Sequence, residues 1–243
     1  MPLDELGRVW VYLAASPLLW LSVTLVAYLA AFGLYRAAGD NPLLNPVALA
    51  VLLLIGVLLA TGTPYAIYFE GAQFVHFLLG PATVALAVPL YRQLGRLRRL
   101  WLPVGIAVIV GVAVATLSAV GIAALLGGGV ETRLSLAPKS VTAPVAMGIA
   151  EKIGGLPSLT AVLVVATGIL GAVFGTRLLA WCGVHDDAVR GIAMGVTSHG
   201  IGTARAFQVS PAMGAFSGLG MALSAFATAL LVPWLVRLLG LGG

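Results

Sequence analysis

Charge is scarce in this chain: 9% of its 243 residues are Asp, Glu, Lys or Arg, against 60% hydrophobic. A soluble domain carries roughly 25% charged residues, so most of this surface must face something other than water, and a soluble enzyme domain is not expected. Cysteine is nearly missing as well. With Cys182 alone, no disulfide closes within the chain and no four-thiolate metal site forms. His76, His185 and His199 have no His or Cys at ligand-like spacing, so no metal or other cofactor is expected. No nucleophile stands in register with a base, and Gly200-Ile201-Gly202 lacks both the dinucleotide fingerprint and a P-loop. The chain is expected not to be an enzyme.

Long apolar runs are what it has. About 20 residues per crossing leaves room for about seven to nine segments, predicting an all-α, polytopic transmembrane bundle forming one membrane domain over residues 1–243. A first span lies in 1–40, from about Pro17 to Tyr35, followed by the Gly39-Asp40-Asn41-Pro42 turn. Further runs cover Pro46–Ala60, Gly80–Tyr91, Leu102–Leu126, Leu159–Trp181 and Met213–Leu239. Tyr65–Leu79 is amphipathic and short, fitting an interfacial or re-entrant segment. Asp4 and Glu5 precede the first run, the reverse of a cleavable signal peptide, so residue 1 is expected in the mature protein.

The net charge of +5 would suit nucleic acid, but Arg92, Arg96, Arg98 and Arg99 cluster between two apolar runs. That is a topology signal, and no nucleic acid partner is expected. If the intervening segments alternate, the rule also places Arg36 and Lys152 on the cytoplasmic side.

Two stretches are too polar or too broken to face lipid, and other helices must shield them. Leu134–Ile153 contains Pro138, Lys139, Ser140, Thr142 and Pro144; Gly191–Phe207 contains Thr197, Ser198, His199, Thr203 and Arg205. The first echoes LGPATVALAV, 57 positions earlier, where Pro81 and Thr83 stand, with Pro89 directly after it. Interrupted helices at matching places in two halves mark a substrate site near the midplane of a transporter, since their free backbone groups can meet a ligand. Prolines that merely kink ordinary helices would produce the same echo.

A cation at mid-span costs at least about 2.5–3.5 kcal/mol, so Lys139 should face a cavity or partner, with Ser140 and Thr142 beside it as for an anion. Gly200 and Gly202 permit non-helical backbone, while Ser198, His199, Thr203 and Arg205 supply donors, a titratable ring and a guanidinium that grips carboxylate. Lys139 and Arg205 are expected to hold a carboxylate. Thr83, Ser140, Thr142 and Thr203 would bind its neighbouring oxygen, and His199 would couple a proton.

LAPKSVTAPVAMGIAEKIGGLPSLTAVLVVATGILGAVFG, the earlier LLGPATVALAVPLY, and SHGIGTARAF followed by GAFSGLGMAL resemble, in order, the LrgB/CidB family of membrane proteins, over residues 41–243. The resemblance implies a multi-pass protein of the bacterial inner membrane, working with a small LrgA/CidA-type membrane partner or as a homodimer. Relatives are described as holin-like or antiholin-like modulators of murein hydrolase activity and autolysis, as plastid glycolate/glycerate translocators, and in connection with pyruvate uptake. A holin gains nothing from polar residues held inside the membrane, whereas selective transport explains them. The expected function is secondary transport of small monocarboxylates, with the holin-like pore or a scaffold subunit as the alternative.

Overall fold

A computed structural model of the chain describes residues 16–78, 81, 84–85 and 87–241. The described residues form helices and no strands, a helical membrane bundle in two compact units, Met1–Ala85 and Leu86–Gly243.

In the first unit, α1 (Pro17–Ala37) packs against α2 (Pro46–Thr61) and α3 (Tyr65–Phe77). Asn45 caps α2 by accepting from the Val47 and Ala48 amides, at 3.0 and 3.1 Å, which satisfies two first-turn donors. The α1–α3 seam closes on buried Trp20, whose ring meets Tyr68 edge-on at 5.9 Å.

The second unit contains α4 (Ala87–Arg92), α5 (Leu94–Leu125), α6 (Val130–Leu136), α7 (Ala143–Ile153), α8 (Pro157–Trp181), α9 (Asp187–Val209) and α10 (Pro211–Leu238). Among the described residues α1, α5, α8 and α10 are long and apolar enough to cross a membrane, and α2 is a shorter apolar helix. Of the arginine cluster, Arg96, Arg98 and Arg99 fall in the first turns of α5. With 32 residues, α5 is about 48 Å long, well beyond the roughly 30 Å hydrocarbon core, so its arginine turns reach the headgroups. Val104, Val108, Val112, Thr116 and Val120 recur every four residues and are buried. That stripe packs into the unit's core with Leu134, Ile149, Ile192 and Phe216.

The two polar stretches do not cross. In α9 the chain reverses at His199: a Cβ added at Gly202 would lie 3.0 Å from the Met194 carbonyl oxygen, although eight residues of continuous helix would separate them by about 12 Å. Ser210, past the end of α9, donates to the Asp187 carboxylate at its start at 2.6 Å. Both ends of α9 therefore lie at one face. Asp186 pairs with Arg96, so that face is the arginine face. The segment from α6 to α7 folds back likewise, since the Leu156 amide donates to Ser135 Oγ at 2.8 Å and Thr160 Oγ1 donates to the Ser135 carbonyl at 3.1 Å. It enters and leaves at the opposite face, where α5 ends and α8 begins.

This overturns the placement of Lys152 beside the arginine cluster. A segment that returns makes no crossing, so Lys152 lies on the face opposite Arg96. Each hairpin is followed by one span, and an odd number of crossings inverts the second copy relative to the first. The copies start 57 residues apart, at Val130 and Asp187, the interval of the sequence echo one step further along the chain.

Candidate functional site

Each hairpin tip follows from local chemistry. In the first, Pro138 has no amide hydrogen to continue α6, and Pro144 is preset for the first turn of α7. Between them the chain turns through Lys139 and Ser140 to Thr142, the N-cap of α7, whose side chain makes no capping bond. Thr116 Oγ1 holds the Ala137 carbonyl at 3.1 Å. In the second, His199 adopts φ 41° and ψ −134°, a conformation that costs a residue with a Cβ on the order of 1–3 kcal/mol and persists only when neighbours over-determine it. They do so here: His199 Nε2 lies 2.9 Å from the Val164 carbonyl, and Thr203 Oγ1 donates to the His199 carbonyl at 2.8 Å. A carbonyl only accepts, so the ring carries its proton on Nε2 and leaves Nδ1 as the acceptor.

The tips meet on α8. Val141 shares a buried cluster with Ala146 and Val164, while His199 bonds the Val164 carbonyl and packs so closely on Gly168 that a Cβ there would sit 2.9 Å from Nε2. Gly168 lies 11 residues from Pro157 and 13 from Trp181, which puts the second tip at mid-span. Lys139, half-buried, is within electrostatic reach of His199, and its Nζ is 3.4 Å from Ser140 Oγ. Among the described residues Lys139 forms no ion pair. The acidic residues of this unit, Glu131, Glu151, Asp186 and Asp187, all stand near helix ends at the faces. The returning helices, α7 after Thr142 and the arm of α9 after His199, both begin at the tips, where first-turn amides lie outside the helical ladder and the helix field is positive. One cation without an ion pair among the described residues, two helix N-termini and the hydroxyls of Ser140 and Thr142 thus share one region of positive field and hydrogen-bond donors.

The sequence-predicted residues separate accordingly. Lys139, Ser140, Thr142, Ser198, His199 and Gly200 gather at the tips, with Pro138 buried and Pro144 exposed beside them. Thr203 is committed within the hairpin, donating to His199 and bonded to Ser217 Oγ at 2.9 Å. Gly202 supplies the close approach of the arms. Arg205 stands six residues past the break, about 9 Å along the arm, with its guanidinium on Gln208 Oε1 at 3.0 Å. Pro81 is an exposed residue of the first unit and Pro89 lies in α4, while Thr83 falls outside the described residues. Sequence reading missed Val164, Thr116, Ser135 and Ser217. The small and hydroxylated residues Thr160, Gly168, Gly171 and Gly175, lining one side of an apolar run, were the available signal for α8 as the platform.

The profile of the LrgB-like family matches residues 24–238, starting inside the first span rather than after it. The uncharacterized Bacillus subtilis protein YwbG is 35% identical over 216 residues, covering 89% of this chain and 96% of its own length. The holin-like protein CidB of Staphylococcus aureus strain Mu50 is 31% identical over 221 residues, 91% of this chain and 96% of that protein. CidB of Staphylococcus epidermidis strain RP62A is 32% identical over 199 residues, 82% and 87% of the two chains. No solved structure matches.

Proposed function

We propose that this chain, which belongs to the LrgB-like family, is a secondary transporter of small monocarboxylates of the glycolate, glycerate or pyruvate type and not an enzyme. The observation that carries the reading is the meeting of two oppositely entering hairpins at Lys139, which forms no ion pair among the described residues. Holding a cation at that depth is costly unless an anion completes it, and one cation selects one negative charge. Lys139 pairs the carboxylate, the first-turn amides of the returning arms hold its second oxygen, and Ser140 or Thr142 takes the 2-hydroxy or 2-oxo group. His199 Nδ1 accepts a proton once the substrate charge lies between it and Lys139, which couples proton and anion. Arg205 draws anions toward the arginine face. Each hairpin closes the path to one face, so alternating access follows from releasing them in turn.

A bacterial inner membrane and a small LrgA/CidA-type partner or a second copy complete the proposal. The relatives' name, holin-like protein, favours a second reading as a pore that modulates murein hydrolases. Uptake of labelled pyruvate and glycolate into proteoliposomes containing only this chain separates the two. Saturable uptake should fall about 10- to 100-fold in Lys139→Ala, the scale of a charged hydrogen bond, and be partly kept in Lys139→Arg. Uptake unchanged in correctly inserted Lys139→Ala refutes the site, and equal leakage of a neutral dye through both proteins supports the pore.

A further inference from the structure

An apolar groove runs between α5 and the first arm of α9, with a volume of about 400 Å³. Leu100, Pro103, Ala107 and Gly111 form one wall and Ile192 and Val196 part of the other; the hydroxyl of Thr197 is the sole polar side chain in the lining. From Leu100 to Gly111 it extends about 16 Å, the depth of one leaflet of a roughly 30 Å core. Its outer end lies at the headgroup level of the arginine face and its inner end beside the hairpin tip.

The mouth carries positive charge. Arg96 stands four residues before Leu100 on the same stripe of α5, and Arg99 four residues before Pro103. Arg98 falls on another side, in line with Leu102 and Ile109, which are more than half exposed. Arg96 is shared with Asp186, whereas Arg99 is exposed and forms no ion pair among the described residues. We infer that the groove holds one acyl chain of an anionic phospholipid whose phosphate is bound by Arg99 and Arg96. The lipid lies against the arm of the hairpin that ends at His199, so its presence supports the closed position of that arm. An apolar wall with a basic rim matches an acyl chain below a phosphodiester in length and charge, and a zwitterionic lipid would leave the excess positive charge unanswered.

Native mass spectrometry of the full chain, released from detergent after addition of phosphatidylglycerol or phosphatidylcholine, tests this. One phosphatidylglycerol should be retained in preference to phosphatidylcholine. Retention should drop about fivefold in Arg99→Gln, the effect of one arginine near a membrane surface, and also in Ala107→Phe, which fills the groove. Arg98→Gln should retain it. Equal losses in Arg98→Gln and Arg99→Gln would show diffuse surface attraction and overturn the site, as would equal retention of the two lipids. A dimer in the wild type that Ala107→Phe converts to a monomer would assign the groove to a second copy instead. If Ala107→Phe does not fold, the arginine pair decides by itself.

Discussion

Gly195→Ala tests whether the α9 hairpin is seated as described. A Cβ at Gly195 would overlap the Ser217 carbonyl oxygen and come within 2.8 Å of the Met221 amide nitrogen and 2.9 Å of the Ser217 carbonyl carbon. All three are backbone atoms of α10, so no rotamer relieves the clash, and the arm must retreat by more than about an ångström to bring the Ser217 carbonyl oxygen to ordinary contact. A gap of that size forfeits roughly a quarter or more of each dispersion contact along the seam. It also stretches the 2.9 Å bond between Thr203 and Ser217. Overpacking of this kind costs about 1–3 kcal/mol, and a weakened buried hydrogen bond adds about 1 kcal/mol. Against this stands the better helix propensity of Ala, about 0.8–1 kcal/mol, leaving a net loss of about 1–3 kcal/mol. Gly105→Ala on α5 is the control, since nothing lies within 4 Å of a Cβ there and only the propensity gain remains. With roughly 2–4 °C per kcal/mol for a chain of this size, Gly195→Ala should melt about 2–12 °C below wild type in the same detergent while Gly105→Ala does not fall. If the two variants melt together, the arm is not packed on α10 in this register.

Three further outcomes are expected. In a Cys182→Ser background, which removes the exposed native thiol, Lys152→Cys should react with a membrane-impermeant maleimide from the face opposite to that which labels Arg98→Cys at the exposed start of α5; labelling from the same face would mean that the α6–α7 segment crosses. The Asp186 carboxyl is held below the usual carboxylate range by the Val189 amide first, then by the Ala188 amide and Arg96. A lowered folded value means that its stabilisation is complete above the unfolded value of about 3.9 and fades as pH falls through the folded one. The Asp186→Ala deficit of about 1 kcal/mol, typical of an N-cap, should thus stay constant from about pH 8 to 5 and shrink below about pH 4; a deficit that shrinks as pH rises would contradict this. Ser135→Ala removes the acceptor of the Leu156 amide and should cost about 1–3 kcal/mol, with faster hydrogen exchange at Leu156. Ser118→Ala, at an exposed hydroxyl, should change neither, and equal effects of the two would remove Ser135 as the brace.

Lys139, Ser140, Thr142, Ser198 and His199 were legible from residue types because polarity inside an apolar run is costly and therefore informative. Arg205 followed by the same logic, and helical rise sets its backbone about 9 Å along the arm from the tip. Val164 was invisible because it acts through its backbone carbonyl, which every residue possesses.

What the sequence by itself determined is the solvent, the helical class and the places where helices cannot continue, since hydropathy, proline, glycine and charge act locally. Only the tertiary structure decided that the two broken segments return instead of crossing. A break states that the helix ends; the direction the chain then takes depends on partners far along the chain. Here Ser135 holds Leu156, Asp187 holds Ser210, and Val164 holds His199. Those distant contacts invert the second hairpin against the first, move Lys152 to the far face, and bring Lys139 to the meeting point of two helix N-termini.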